Sequence, residues 1–152
     1  MARAPFIVFI YPYIKVGDNE FEYALLRSAD RGSWEAVTGG GEGNETLLEA
    51  AKRETYEETG IPIESLFIQL HTVAPVPVTR FSDSYLWGDD VYVIPLHYFG
   101  VLVNDRQIVL SQEHTEYRWL RYQDADNLLK YDDDKIALWE LDRRLRGLGP
   151  RD

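Results

Sequence analysis

Between residues 39 and 61 the chain sets three consecutive glycines ahead of a helical stretch that carries three acids at helical spacing, and few folds accommodate that arrangement. Gly39, Gly40 and Gly41, with Gly43 close behind, read as close backbone turns rather than regular structure, since glycine adopts tight geometry without steric cost. From Glu45 to Thr59 the pattern is helical: Leu47, Ala51 and Thr55 recur every four residues and form one face, which Leu48 widens. Asn44 is the candidate N-cap, and Glu45 suits the positive end of the helix dipole. Gly60 followed by Pro62 stops the helix. Glu54, Glu57 and Glu58 fall at i, i+3 and i+4 and share one side of it.

Three carboxylates that close repel one another. They either face water, as most charge runs do, or surround a hard divalent cation. Mg²⁺ takes oxygen ligands and is commonly held by few carboxylates together with substrate phosphates. The glycine segment is an ordinary tight turn on the first reading. On the second it offers a carbonyl to the metal and amides to phosphate. Arg53, eight residues after Glu45 and four after Glu49, reads as a structural salt-bridge partner that tethers the loop to the helix.

Gly39, five residues, Glu45, seven residues, then Arg53-Glu54-Thr55-Tyr56-Glu57-Glu58-Thr59-Gly60-Ile61 resembles the Nudix box, G-x5-E-x7-R-E-U-x-E-E-x-G-U with U apolar. Every charged and glycine position matches; Thr55 departs from the usual aliphatic residue but keeps a methyl for packing. The resemblance implies a Nudix-type α/β/α sandwich with a mixed sheet. It also implies hydrolysis, dependent on Mg²⁺ or Mn²⁺, of a nucleoside diphosphate linked to another moiety. Glu54, Glu57 and Glu58 would be the catalytic and metal-holding acids, with Gly39 offering its carbonyl. The cation would neutralise pyrophosphate oxygens and activate water, with a carboxylate such as Glu54 as general base.

Thr38, where proline is common in the family, and the segment Ser111 to Leu120 are similar to a branch acting on dihydroneopterin triphosphate or dATP with release of pyrophosphate. In that branch Glu113 joins the metal site, with Glu116 the alternative if the register slips. Arg27, Trp34, Gly40 and Arg80 are the candidate substrate-binding residues. Hydrolysis of dinucleoside polyphosphates or nucleotide-sugars is the alternative, and a non-catalytic nucleotide sensor a further one. His114 reads as a structural hydrogen-bonder pointing away from Glu113 if the segment is extended. Trp34 reads as a core or cleft-wall aromatic. Arg80, Phe81, Tyr85 and Trp87 form an aromatic and basic loop that either grips a pterin or purine or simply packs. Asp132 to Asp134 reads as a solvated helix start with N-cap character.

Around this segment, Phe6 to Ile10, Phe21 to Leu26, Trp34 to Val37, Ser65 to Val76, Val91 to Val103, Ile108 to Leu110 and Tyr117 to Leu120 read as strands. Asp124 to Lys130 and Lys135 to Leu145 read as helices, the latter packing through Ile136, Leu138, Trp139, Leu141 and Leu145. The class is therefore mixed α/β, and 152 residues fit one domain over 1–152.

The chain carries 16 basic and 26 acidic residues, a net charge of −10. That disfavours a nucleic-acid backbone or an anionic membrane surface as partner. Of this excess, eight acids against Lys52 and Arg53 lie between Glu35 and Glu64, a local −6. Such acidity suits a small phosphorylated substrate only if a divalent cation comes with it. With no cysteine, thiolate chemistry and Cys-ligated zinc are excluded. The apolar run from Pro5 to Ile14 is too short to span a bilayer, which takes about 20 residues, and lacks a cleavage site after it. The expected location is the cytoplasm. The oligomeric state is left open, a homodimer included.

Overall fold

The computed structural model describes residues 3–81 and 87–151. Strand β1 (Arg3–Gly17) is its axis. Its middle is apolar at every position, and the alternation of side chains across a strand sends Ile7, Phe9, Tyr11 and Tyr13 into one core and Val8 and Ile10 into another. Strand β6 (Val93–Leu102) pairs with β1 in parallel, Ile7 opposite Leu96 through Tyr13 opposite Leu102. It divides the same way: Ile94, Leu96 and Tyr98 face the first core, Phe99 and Val101 the second. A strand buried on both faces reads as a continuous apolar run, which is why no alternation shows in the sequence here.

Strands β2 (Glu20–Ser28), β3 (Trp34–Glu35), β4 (Val37–Glu42), β5 (Phe67–Pro77) and β7 (His114–Leu120) complete a seven-stranded mixed sheet. Its main path runs β3-β2-β1-β6-β5, with β4 added to β1 and β7 to β2. Helix α1 (Leu47–Thr59) covers the second core through Ala50 and Ala51. Helices α2 (Tyr122–Leu128) and α3 (Asp132–Leu145) cover the first through Ala125, Ala137, Leu138 and Leu141. The architecture is the expected α/β/α sandwich.

Local expectations are corrected in several places. Gly39 to Gly41 are not turns but the middle of strand β4, where Gly39 pairs with Val8 and Gly40 with Ile7. Only Gly43, at φ 53°, takes the left-handed turn. The N-cap of α1 is Thr46, not Asn44. Its hydroxyl accepts from the Glu49 amide while Glu49 reaches back to the Thr46 amide, a reciprocal capping box. Gly60 ends the helix at φ 76° as expected. Leu48 is exposed and does not widen the buried face. Ile108 to Leu110 forms no strand, although the Val109 amide is satisfied by the Thr59 carbonyl. On α3, Leu138 and Leu141 are buried but Ile136 and Trp139 face outward.

The Asp132 to Asp134 run is not wholly solvated. Tyr131, not an aspartate, is the N-cap, and Asp134 is buried. The Tyr98 hydroxyl donates to Asp134 Oδ1 at 2.7 Å, and the Tyr11 hydroxyl to the Asp134 carbonyl at 2.9 Å. Burial is the main reason its carboxyl is pushed up to about 7; the Tyr98 hydrogen bond opposes this and the Asp133 charge adds to it. The folded state thus holds a proton that the unfolded chain releases above about pH 4. Stability from this group is therefore lost as pH rises from about 4 to 7 and is level beyond. Urea midpoints at pH 4.5 and 7.5 are expected to fall more in the wild type than in Asp134→Asn, which has no proton to lose.

Candidate active site

The site is assembled where α1 passes behind β4, and Arg53 is its central tie. Its Nε and Nη2 donate to the two oxygens of Glu45 at 2.7 and 2.9 Å. Nη2 also donates to the Gly40 carbonyl at 2.9 Å, and Nη1 to Glu54 Oε1 at 2.9 Å. Glu57 Oε2 lies 3.4 Å from Nη1. Glu45 closes the loop by accepting from the Glu42 amide at 2.9 Å. The structural role expected of Arg53 holds, except that Glu49 serves the helix cap instead. Gly40, expected to meet substrate, lines the cleft but has its carbonyl engaged by Arg53.

Glu54, Glu57 and Glu58 lie on one side of α1 as the spacing predicts, but in three environments. Glu57 is half exposed, with 54% of its side chain accessible. Glu54 is mostly buried and its carboxyl is raised, because desolvation outweighs its bonds to Glu58 and Arg53. Glu58 is 2% exposed and is raised much further, first by burial and then by the adjacent Glu54 carboxyl and the charge of Glu113. Its Oε1 lies 3.5 Å from the Thr38 amide, and its buried Oε2 has no hydrogen-bond partner. Gly39 belongs here for a steric reason: a Cβ at this position would overlap the Glu54 carboxyl.

The opposite wall is the start of β7. Glu113 is exposed, and His114 is 2% exposed by side chain. His114 Nε2 lies 3.0 Å from Glu35 Oε2, and Nδ1 lies 3.7 Å from Glu58 Oε1. His114 is thus a hydrogen-bonder as expected, but its ring turns toward the acids rather than away. Ligand atoms of Glu58, Glu113 and His114 all fall within 4.8 Å of one another. Two buried atoms without hydrogen-bond partners, Glu58 Oε2 and His114 Nδ1, belong to this cluster. Such orphaned atoms cost free energy unless something binds them, so the donor set fits a divalent cation.

An open cleft of about 790 Å³ runs past this cluster, bounded by Gly39 to Glu42, Glu54, Glu113, Arg31 and Phe81. A second hollow of about 360 Å³ is lined by Glu54, Glu57, Glu58 and Glu113, so Glu54 and Glu113 border both. Gly39 and all four acids expected at the metal site are therefore together. The expected substrate residues are not. Arg27 donates to the Gly32 carbonyl at 3.0 Å, pairs with Glu116 at 3.7 Å, and does not line the main cleft. Glu116, paired with Arg27 and Arg118, lies outside the acid cluster. Trp34 packs on the first core under the Arg118 guanidinium, 4.7 Å from its ring centre. Arg80 stacks 4.2 Å over the Tyr131 ring, with Asp133 3.5 Å away. Both border a narrow side pocket that shares Arg31, Glu35, Thr38 and Phe81 with the main cleft. Phe81 packs edge-on against Trp87; Tyr85 lies outside the described residues.

A family model for the NUDIX domain matches residues 16–140. The chain belongs to the Nudix family. It is 32% identical over 127 residues to the rat (Rattus norvegicus) bis(5'-nucleosyl)-tetraphosphatase [asymmetrical], a match spanning 83% of this chain and 82% of that one. A Listeria monocytogenes protein assigned to the NUDIX hydrolases superposes with a TM-score of 0.84 at 34% identity, covering 95% and 96% of the two chains. The Escherichia coli dihydroneopterin triphosphate pyrophosphohydrolase does so with a TM-score of 0.74 at 25% identity, covering 90% and 93%. The protein is accordingly an enzyme, a Nudix pyrophosphohydrolase. Among the described residues no helix is long and apolar enough to cross a membrane.

Within this Nudix site, sequence reading missed Glu35 and Arg31. Glu35 orients His114 and stands 3.7 Å from Arg31, which lines the main cleft. Neither lies in the Nudix box, and Glu35 meets His114 because β3 and β7 both pair with β2. Because Gly39 makes room for Glu54, Gly39→Ala is expected to displace that carboxylate while leaving the cores intact. The expected result is a near-wild-type urea midpoint with divalent-metal affinity lowered at least about 10-fold, read by calorimetric titration.

Proposed function

We propose that the chain hydrolyses a phosphoanhydride bond in a nucleoside triphosphate-like substrate, of the dihydroneopterin triphosphate or dATP kind, and releases pyrophosphate. The carrying observation is that the acidic side of α1 and the glycine strand β4 border one cleft large enough for a nucleotide. Glu54, Glu57, Glu58, Glu113 and the Gly39 carbonyl would hold Mg²⁺ or Mn²⁺. When bound, the cation supplies positive charge against the phosphate oxygens and acidifies water.

The remaining work falls to the protein's own groups. Arg53 clamps Glu54 and Glu45 and so fixes where the acids stand relative to β4. Glu54, which lines the cleft and accepts from Arg53 through Oε1, would accept the proton of the attacking water. Arg31, which lines the cleft, would meet the terminal phosphates, and the narrow side pocket beside Arg80 and Trp34 would bound the far end of the substrate. Arg27 has no part in this scheme.

The rat relative supports a second reading, a dinucleoside polyphosphate as substrate. A panel of phosphoanhydrides with Mg²⁺, Mn²⁺ and a chelator control separates the two. Inorganic pyrophosphate as product supports the first; two nucleotides from a dinucleotide support the second. Glu57→Gln, at a half-exposed position that costs no folding, is expected to lower kcat at least about 100-fold. A folded and fully active Glu57→Gln would refute the metal assignment.

A further inference from the structure

All the expected ligands of the acidic helix are oxygens, yet the buried atom that faces them from β7 is a nitrogen. His114 is closed off from solvent, and its Nδ1 has no hydrogen-bond partner. Its other nitrogen is not free to choose a state. Glu35 is a carboxylate and accepts, so the 3.0 Å contact assigns the ring hydrogen to Nε2. In the neutral ring, the form that ligates a metal, Nδ1 then carries the lone pair, and it lies 3.7 Å from Glu58 Oε1.

We propose that His114 Nδ1 is a metal ligand, forming with Glu58 and Glu113 a mixed nitrogen–oxygen site that favours Mn²⁺ and later first-row ions over Mg²⁺. The inference rests on the cation site of the proposed function and adds its selectivity. Two bonds of about 2.1 Å to one ion span at most about 4.2 Å, so the Glu58–His114 spacing already suits a shared ion. Glu113 is exposed and free to close the last few tenths of an ångström. The Glu35–His114 hydrogen bond is the usual outer support of a metal-bound imidazole, setting tautomer and ring plane together. Imidazole suits transition ions, whereas Mg²⁺ prefers oxygen and keeps much of its water. The same binding would satisfy Nδ1 and could engage Glu58 Oε2, the two orphaned atoms of the cluster.

Pulsed electron paramagnetic resonance of the Mn²⁺-loaded protein tests this directly. The expected spectrum shows ¹⁴N coupling that becomes ¹⁵N coupling when histidine is ¹⁵N-labelled. His114→Gln keeps a polar group toward Glu35 but removes Nδ1. It is expected to abolish the coupling and to lower the Mn²⁺-to-Mg²⁺ affinity ratio about 10-fold. Bound Mn²⁺ without nitrogen coupling, or coupling that survives in His114→Gln, overturns the proposal. Should His114→Gln not fold, the double variant His71→Gln/His97→Gln leaves His114 as the sole labelled histidine of the three. Coupling there supports the ligand and its absence overturns it. An oxygen-only spectrum alongside metal-dependent hydrolysis overturns histidine ligation alone. Nitrogen coupling without metal-dependent hydrolysis of any phosphoanhydride overturns the proposed function alone. Failure to bind Mn²⁺ overturns both.

Discussion

One guanidinium holds this site in register. Arg53 bonds at once to the loop before the helix through Glu45, to strand β4 through the Gly40 carbonyl, and to the acidic face through Glu54. Charge-assisted and bidentate bonds of this kind fix direction as well as distance. Without them α1 would rest on the second core mainly through Ala50 and Ala51, with Leu47 at its first turn, contacts that set separation more than orientation. The acids occupy defined positions because the one guanidinium among them is tied on three sides.

That tie does not neutralise the site. Glu58 is sealed beneath Glu54 with a neighbouring charge at Glu113, and its carboxyl is raised accordingly. A buried acid held neutral by desolvation is an unstable tenant, stabilised equally well by a proton or by a cation. The orphaned oxygen of Glu58 and nitrogen of His114 mark where a cation would repay the cost of burial. This gives the net charge of −10 a more local meaning. Acidity that argues against an unaided phosphate partner becomes, at α1, the means of bringing the partner's counterion.

The glycine segment shows how a correct chemical reading can coexist with a wrong conformational one. Three glycines in a row suggest a turn, because local propensity rewards that geometry. The structure makes them a strand because β1 supplies ladder partners for β4 from Ile10 opposite Val37 to Ile7 opposite Gly40, and because the space a side chain would fill at Gly39 is occupied by Glu54. Tertiary pairing outbid local preference. Asp134 is a similar case: an acidic run looks solvated until Tyr11 and Tyr98 arrive from the sheet to cover and bond it. At Arg27 the fold adds something the sequence did not indicate, since its guanidinium bonds the Gly32 carbonyl and pairs with Glu116.

In the sequence, resemblance to the Nudix box carried the family and the sandwich class, while the shared side of Glu54, Glu57 and Glu58 follows from spacing within one helix, where 3.6 residues per turn settles which side chains stand together. The same resemblance pointed to Glu113, which lines a hollow with all three acids. What only the tertiary structure decided is everything that requires two distant segments to meet. This includes the burial that separates Glu58 from Glu57, the Glu35–His114 pair that turns a ring nitrogen toward the acids, and the arrival of Arg31 at the cleft. Residues 35 and 114 have no periodic relation in the chain; they are neighbours only because β3 and β7 both pair with β2.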